Sequence, residues 1–256
     1  SDLHLAGGEL VAFATETVYG LGARADDDAA VAAVFAAKGR PTGHPLIVHV
    51  TGRADAEAFA THMPPMAARL MEGLWPGPLT VIVPRAAGVA NAAAGGHPTI
   101  ALRAPAHPVA HALIAAARRR GVAGIAAPSA NRFGRVSPTS AAHVAEEFGD
   151  ALWVLDGGAC RIGIESSIVD CSGPHPVLLR PGILTAERIE AVAGEPLRAP
   201  DASAPNAPGT LAAHYAPRAK VRLMATPMLH TALQMLGAQP LGLAVYSRTV
   251  PSGVAP

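Results

Sequence analysis

Residues 10–41, LVAFATETVYGLGARADDDAAVAAVFAAKGRP, contain the pattern from which the fold class can be predicted. Leu10–Phe13 is a short apolar run of the kind that forms a buried strand. Asp26–Asp28 place acids at a helix start, and Val31–Phe35 supplies an apolar stripe at helical spacing. Gly39 then ends the helix. A strand followed by a helix is the basic unit of an α/β sheet.

The rest of the chain continues this alternation without a strict period. Because several predicted strands follow one another with no helix between them, we expect a mixed sheet and not a purely parallel one. Further strands are predicted at Leu46–Val50, Leu79–Val83, Thr99–Arg103, Val122–Ala127, Leu152–Leu155, Ser166–Asp170 and Val177–Leu179, and further helices at Pro65–Leu74, Val109–Arg120, Pro138–Phe148 and Thr185–Val192.

The composition limits the classes of protein to consider. The chain has 256 residues, of which half are apolar and only 4% aromatic, so the core must be built largely from small aliphatic side chains. A net charge of +1 argues against a strongly basic nucleic-acid binder. Two cysteines, Cys160 and Cys171, do not form a disulfide framework, which favours a reduced, cytoplasmic setting. No apolar run is long enough for a membrane span, and the N-terminus lacks a signal pattern.

The chain is predicted to have a main domain, a linker and a fragment. Residues 1–195 contain the alternating pattern, whereas residues 196–218 lose it and gain Pro, Ala and Ser, as linkers do. Within residues 219–256, Lys220–Met224, Pro227–Leu236 and Leu241–Tyr246 predict a short strand-helix-strand. So short a segment is unstable as an independent domain, and we interpret it as the start of a longer one.

Two distant segments suit a polyanion such as a nucleotide triphosphate. Lys38 and Arg40 lie at a helix end, where Pro41 and Pro45 stiffen the loop that follows. Ser129-Ala130-Asn131 follows the strand that ends at Ala127. The alternative for the two cations is a solvated helix terminus that interacts favourably with the helix dipole.

Arginines recur in one context. Arg40, Arg103 and Arg180 each end a strand or helix and each precede a proline closely, which points to an anionic ligand above one edge of the sheet. Thr15-Glu16-Thr17 follows the first strand, where α/β proteins bind ligands. His49 lies within an apolar strand and is either a core residue or a ligand residue.

Other motifs are weak. Gly20–Ala25 matches the G-x-G-x-x-A form of a dinucleotide site, but Asp26–Asp28 would repel a pyrophosphate, so a tight turn is the better interpretation. The sequence has no phosphate-loop lysine motif, no G-x-S-x-G and no C-x-x-C. His107 and His111 lack a zinc-protease context, and no metal ligands are predicted.

An ordered set of motifs resembles the YrdC-like threonylcarbamoyl-AMP synthase family over residues 8–195. The residues that carry it are Thr15–Gly22, Lys38–Pro41 with His44–Leu46, Trp75–Thr80, Leu102–Pro105, Pro128–Asn131, Glu165–Asp170 and Leu179–Gly182. Pro208-Gly209-Thr210 and His214–Pro217 resemble the linker of the long, two-domain form, which folds over the nucleotide site. The resemblance implies a twisted mixed open sheet with flanking helices, a linker, and the truncated start of a small Rossmann-like domain.

The resemblance also implies a reaction. L-threonine, bicarbonate and ATP, with Mg²⁺ carried by the ATP, would give threonylcarbamoyl-AMP and pyrophosphate, a nucleotidyl transfer. The product would be passed to proteins that modify tRNA at position 37. Two alternatives with the same fold remain, a double-stranded RNA-binding module and a carbamoyl-transfer maturation domain. Weak RNA binding is also compatible with the synthase activity.

The resemblance assigns roles to individual residues. The catalytic residues would be Lys38, Arg40, Ser129 and Asn131. Those that bind ATP would be Lys38, Arg40, His44, Thr99, Ser129, Asn131, Ser137, Arg180, His214 and Tyr215. Those that bind threonine would be Thr17, His49, Arg103, Ala127 and Ser166.

Overall fold

The computed structural model describes residues 1–201, 204, 205, 207, 208, 217, 219–236 and 242–247. The chain divides into two compact units, Ser1–Ala216 and Pro217–Pro256. The division falls inside the segment 196–218 that the sequence indicates as a linker. The three predicted domain ranges stay predictions.

The first unit is built around a mixed sheet of nine strands, and the order of elements in the sequence predicts such a mixed sheet. The strands in spatial order are β7-β1-β2-β6-β3-β5-β4-β8-β9, and the pairs β1–β7, β3–β5 and β4–β8 are parallel while the others are antiparallel. Their bounds are β1 Val11–Phe13, β2 Gly20–Arg24, β3 Ile47–His49, β4 Leu79–Pro84, β5 Thr99–Arg103, β6 Ile125–Ala126, β7 Trp153–Leu155, β8 Ser167–Asp170 and β9 Val177–Arg180.

Helices connect and flank these strands. They are α1 Asp2–Ala6, α2 Asp28–Lys38, α3 Arg53–Ala56, α4 Pro65–Leu74, α5 Pro108–Arg119, α6 Ala141–Phe148, α7 Ala186–Ala193 and, in the second unit, α8 Thr226–Leu236. Short 3₁₀ turns extend α3 and α6 at Glu57–Phe59 and Gly149–Ala151. None of the described helices combines the length and apolar character that crossing a bilayer requires.

The two faces of the sheet are covered differently. Because side chains alternate along a strand, neighbouring residues face opposite sides. Val48, Leu102 and Val81 belong to the large core in which α2, α4 and α7 pack. On the opposite face, α5 packs with Phe13 and Ile125 over β1 and β6. The rest of that second face carries a small apolar cluster of Ile47, Ile82, Ala101 and Ile168.

Helix α2 has the signals that the sequence predicts at both ends. The Asp27 carboxylate accepts from the amides of Ala29 and Ala30, which caps the first turn. Gly39 has φ 62° in the left-handed region, and its amide closes the last turn. A left-handed residue reverses the chain abruptly, so Arg40, the residue after Gly39, leaves the helix while Lys38 stays buried in its last turn.

Several local predictions need correction. The turn predicted at Gly20 and Gly22 is wrong, because both glycines lie in β2, and a Cβ on Gly22 would come within 2.8 Å of Phe13 and Ile125. Close packing of two strands, and not phosphate binding, therefore explains Gly22. Helix α6 starts at Ala141 and not at Pro138, because the Pro138 carbonyl accepts from the Tyr19 amide.

The second unit also differs from the prediction. Its helix is present at Thr226–Leu236, as expected from the apolar spacing. The strands predicted at Lys220–Met224 and Leu241–Tyr246 are wrong for the residues described there, 220–224 and 242–246, which form neither helix nor strand. A strand needs a hydrogen-bonded neighbour, which an apolar run in the sequence does not guarantee.

Candidate functional site

An open cavity lies on the second face of the sheet, over side chains of β3, β5 and the segment just before β8. Its space is about 510 Å³, including the solvent-filled mouth. The residues that line it are Thr15, Thr17, Val18, Gly20, Arg40, Ile47, His49, Arg103, Ala127, Pro128, Ser129, Glu165, Ser166, Arg180 and Pro208. The cavity therefore lies on the sheet face, whereas the sequence predicts an anionic ligand above a sheet edge.

Strand alternation explains why polar groups meet on this face. His49 is two residues beyond Ile47, and Arg103 is two residues beyond Ala101. Each polar side chain therefore lies on the same face of the sheet as the apolar one before it. His49 and Arg103 are register partners in the parallel pair β3–β5, which places their side chains side by side. The second face is thus apolar toward one end of these strands and polar toward the other.

His49 is a buried neutral imidazole. Burial, with a contribution from the neighbouring Arg103, lowers the pKa of His49 to about 3. Its Nδ1 has no hydrogen-bond partner among the described residues. Phe13 packs edge-on against its ring at 6.1 Å. A neutral imidazole fixed by packing can exchange a hydrogen bond with a bound polar group, but it adds no charge.

Arg103 forms a buried ion pair with Glu16. Its Nη2 donates to Glu16 Oε1 at 2.6 Å, and its Nε donates to the Gly77 carbonyl at 3.4 Å. The other oxygen of Glu16 accepts from the Ala106 amide at 3.1 Å. A guanidinium has five N–H donors, so these contacts use only part of its capacity.

The connection between β1 and β2 forms one wall. Thr15 Oγ1 lies 2.9 Å from Thr17 Oγ1 and donates to the Val18 carbonyl at 2.6 Å. The backbone carbonyls of Glu16 and Thr17 accept from the amides of Ile162 and Gly163. The wall is therefore fixed on both sides by hydrogen bonds.

Lys38 and the Ser129–Asn131 loop, which are far apart in the sequence, are in contact. The ammonium of Lys38 donates to the carbonyls of both Ser129 and Asn131, the first at 2.5 Å. Burial lowers the pKa of Lys38 to about 7, with a further contribution from Arg40. Lys38 thus supports the loop that brings Ser129 to the cavity.

Asn131 shapes the same loop. Its Nδ2 donates to the carbonyls of Arg132 and Arg135 at 2.8 and 2.9 Å. Its Oδ1 is buried and has no partner among the described residues. Asn131 itself lies outside the cavity lining.

Arg40 and His44 follow α2. Arg40 lines the cavity and donates from Nη2 to the Pro45 carbonyl at 3.0 Å, which ties the charge to its own stiff loop. His44 packs edge-on against Phe133 at 5.9 Å. Burial, with a contribution from Arg40, lowers the pKa of His44.

Arg180 and Ser166 form a network at the other side. Arg180 donates from Nε to the Ser166 carbonyl at 3.0 Å and from Nη2 to Ser166 Oγ at 3.1 Å. Ser166 Oγ also lies 2.8 Å from Thr80 Oγ1. Arg180 Nη1 donates to the carbonyl of Pro208, in the predicted linker, at 2.8 Å. Arg180, at the end of β9, therefore connects the residue before β8 with the predicted linker.

The chemistry that this arrangement supports is binding and charge neutralisation. Three guanidinium groups, those of Arg40, Arg103 and Arg180, line one cavity together with hydroxyl groups. Burial raises the pKa of the Cys160 thiol to about 11 and that of Cys171 higher still, so both thiols stay protonated and are poor nucleophiles. Within the described residues, no group of three or more His, Cys, Asp or Glu side chains is placed to hold a metal.

A comparison with family models decides the family. The model for Sua5, YciO and YrdC proteins, described as "Telomere recombination", matches residues 4–182. The chain belongs to the Sua5/YciO/YrdC family. A second model, "Threonylcarbamoyl-AMP synthase, C-terminal domain", matches residues 184–249.

Individual relatives agree with this family. The chain is 47% identical over 226 residues to a threonylcarbamoyl-AMP synthase of Pyrococcus abyssi, covering 86% of this chain and 65% of the relative. It is 44% identical over 222 residues to one of Bacillus subtilis, covering 84% and 63%. The crystal structure of P. abyssi Sua5 complexed with L-threonine has a TM-score of 0.79 at 46% identity and covers 86% of this chain and 65% of that one. The chain thus spans less than two thirds of these relatives.

The fold brings most of the predicted site residues of this Sua5/YciO/YrdC chain together. The predicted threonine-binding residues all line the cavity, namely Thr17, His49, Arg103, Ala127 and Ser166, and so do Arg40, Ser129 and Arg180 from the predicted ATP-binding set. Their predicted roles stay predictions.

Other predicted residues lie away from the cavity lining. Ser137 does not line the cavity but donates a hydrogen bond to Glu165, which does. Thr99 lies at the opposite end of β5 from Arg103 and lines a second depression with Asp170 and Arg198. His214 and Tyr215 lie outside the described residues.

Three polar residues lie within the motifs that the sequence analysis singled out but received no predicted role. Glu16 pairs with Arg103, Glu165 lines the cavity, and Thr80 contacts Ser166. Each lies next to a predicted residue or in an apolar strand, and that position was the available signal. Glu16 and Thr80 contact residues that lie 87 and 86 positions away in the sequence. Spacing along the chain does not reveal such contacts.

Proposed function

We propose that this chain carries the site of a threonylcarbamoyl-AMP synthase, a nucleotidyltransferase that joins L-threonine, bicarbonate and ATP. The observation that supports the proposal most is that one cavity is lined both by Thr17, His49 and Arg103 and by Arg40 and Arg180. The similarity to a Sua5 structure solved with L-threonine supports the amino-acid half.

The amino acid would be held by its carboxylate. Arg103 keeps donors in addition to those used on Glu16 and Gly77, and planar forked donors match a carboxylate. The neutral ring of His49 beside it would hydrogen-bond without attracting a second anion. Thr17 and Ser166 would then contact the remaining polar groups of threonine.

The chemistry would occur in two steps. The threonine nitrogen forms a bond to the carbon of bicarbonate while a C–OH bond of the bicarbonate breaks and water leaves, or it adds to carbon dioxide and loses a proton. Either route gives an N-carboxylate. An oxygen of that carboxylate attacks the α-phosphorus of ATP, the bond to the β-phosphate oxygen breaks, and pyrophosphate leaves. Such a transfer needs positioning and charge neutralisation more than a protein nucleophile.

The nucleotide would occupy the other side of the same cavity. Arg40 and Arg180 would neutralise phosphate oxygens, and Ser129 would donate a hydrogen bond to them. Lys38 would act by holding the Ser129–Asn131 loop and by adding positive charge once a triphosphate is bound. Mg²⁺ enters as part of the MgATP substrate.

The product is a reactive mixed anhydride, which must be passed on. We propose that it serves cytoplasmic proteins that transfer the threonylcarbamoyl group to tRNA. Weak RNA binding by this chain would be compatible with that role.

The test is a reaction that contains the chain, MgATP, L-threonine and bicarbonate, in which pyrophosphate release is measured. We expect release to depend on all three substrates. Release that continues without threonine or bicarbonate would contradict the proposal. Salt-dependent binding of double-stranded RNA with no pyrophosphate release would favour the RNA-binding alternative.

A further inference from the structure

Glu16 is a buried carboxylate that lies next to the cavity without lining it. Its side chain is 9% exposed and that of its partner Arg103 is 5% exposed. Both of its oxygens are in use, Oε1 by Arg103 Nη2 and Oε2 by the Ala106 amide. The residue thus bridges the β1–β2 connection and the segment that follows β5.

This bridge controls the direction of the guanidinium. The N–H donors of arginine lie in one plane with fixed angles, so fixing Nη2 and Nε fixes the direction of the others. Nη2 is held by Glu16, and Nε is held near the Gly77 carbonyl. Because Arg103 lines the cavity, its remaining donors are directed by contacts made behind it.

Stability alone does not explain such a pair. Desolvating two charges costs about as much as their attraction returns, and apolar side chains of similar size can replace a buried ion pair. A solitary Arg103 next to the cavity would carry a buried charge with no fixed direction. The pairing therefore suits a cation that must be rigid before its ligand arrives.

We propose that Glu16 is a positioning residue that orients Arg103 toward the carboxylate of the amino-acid substrate. The proposal rests on the proposed function, because it assigns Arg103 to that carboxylate. Glu16 touches Arg103 and the Ala106 amide, so it acts through Arg103 and is not itself a catalytic residue.

The substitution Glu16→Gln tests the two-oxygen bridge. A glutamine side chain has one acceptor oxygen and one donor nitrogen, whereas Glu16 accepts from two donors. The amide nitrogen must therefore face either Arg103 or the Ala106 N–H, both of which are donors. Glu57→Gln is the matched control, because Glu57 also pairs with an arginine, Arg53, at an exposed surface site.

The experiment is calorimetric titration of each variant with L-threonine, with L-threoninamide and with MgATP. We expect Glu16→Gln to weaken L-threonine binding on the order of 10- to 100-fold, by analogy with the loss of an outer-shell partner of a metal-binding side chain. Binding of threoninamide, which lacks the carboxylate, and of MgATP should change less than about threefold. Glu57→Gln should bind all three ligands as the unchanged chain does.

Each other outcome has a defined meaning. Unchanged L-threonine affinity in Glu16→Gln would overturn the role of Glu16 and leave the proposed function intact. Equal weakening for all three ligands would show a general structural role and overturn the proposal as well. A wild-type chain that binds no L-threonine would overturn the proposed function and this inference with it.

A second variant covers a failure of Glu16→Gln to fold, which thermal denaturation would reveal. Glu16→Asp keeps the charge but is one methylene shorter, so it cannot reach both Arg103 and the Ala106 amide at their present distances. We expect the same loss that is specific to L-threonine, at a smaller size. Equal affinities for L-threonine in Glu16→Asp and the wild type would overturn the proposal.

Discussion

Lys38 is a buried cation that supports a loop of the cavity. Its ammonium contacts two loop carbonyls, and burial together with the nearby Arg40 lowers its pKa to about 7. In the unfolded chain the same group has a pKa of 10.5. The folded chain therefore releases this proton far more readily than the unfolded chain does.

This difference predicts a pH dependence of stability. Between about pH 7 and pH 10.5 the unfolded chain holds the proton of Lys38 and the folded chain does not. The free energy of unfolding should therefore rise with pH across this window, with the full penalty below pH 7, on the order of several kcal/mol. Urea denaturation of the wild type and Lys38→Met at several pH values measures it. Parallel curves for the two proteins would show that Lys38 has an ordinary pKa.

Arg40 should be required for turnover. It lines the cavity and its backbone loop holds it in place, so its loss removes a preorganised positive charge. We expect Arg40→Ala to lower the rate of pyrophosphate release about 10²–10³-fold. Arg53→Ala, which removes a surface arginine, is the control and should retain the wild-type rate. Near-normal turnover in Arg40→Ala would remove it from the active site.

At the scale of elements, the reversal after α2 determines where its two cations lie. Gly39 has φ 62°, and a Cβ at this position would meet nothing within 4 Å. Glycine is therefore favoured at this position by its own left-handed backbone conformation and not by contacts with neighbouring side chains. Lys38 is buried in the last turn, and Arg40 leaves in a new direction.

The substitution Gly39→Ala should cost about 1 kcal/mol of stability, because alanine is strained in the left-handed region. Gly43→Ala is the matched control, since Gly43 also has open space around it and does not have positive φ. Thermal denaturation should show a lower midpoint for Gly39→Ala, by about 2–4 °C, and little change for Gly43→Ala. Equal midpoints would mean that the turn adapts without cost.

Most elements could be predicted from apolar patterns, and the misses have physical causes. Thr99–Arg103 and α4 were predicted with their observed bounds, because each has a clear apolar run and clear end signals. Strand β2 was missed because Gly20 and Gly22 resemble a turn, whereas its partners β1 and β6 decide its conformation. The strand predicted at Lys220–Met224 has the composition of a strand but no paired neighbour in the described chain.

The candidate site was predictable in its residue types but not in its position. Three arginines before prolines indicated an anionic ligand, and all three line the cavity. Which face of the sheet they share depends on register, such as the pairing of His49 with Arg103, which no local pattern encodes. The contact between Glu16 and Arg103 spans 87 residues and could be found only in the folded chain.

For the whole molecule, charge is concentrated locally and not spread evenly. The net charge is +1, so attraction of an anionic nucleotide would have to come from the cavity arginines and not from an overall field. Salt screens partly buried charges less than exposed ones. A bound triphosphate would still be partly exposed to solvent, so salt should weaken its binding.

We therefore expect MgATP affinity to fall as the salt concentration rises. The steepness of this fall should depend on the arginines of the cavity. Arg40→Ala should reduce the salt dependence measured by titration between low and physiological ionic strength, whereas Arg53→Ala should leave it unchanged. A slope that responds equally to both variants would indicate attraction by the general surface.

The most direct test of the proposed synthase activity follows one carbon atom. The chain is incubated with MgATP, L-threonine and ¹³C-labelled bicarbonate, and the products are identified by mass spectrometry. We predict a threonylcarbamoyl-adenylate whose mass exceeds that of the unlabelled product by the difference between one ¹³C and one ¹²C atom, formed together with pyrophosphate. A threonyl adenylate that contains no labelled carbon, or AMP and pyrophosphate released with no threonine-containing product, would contradict it.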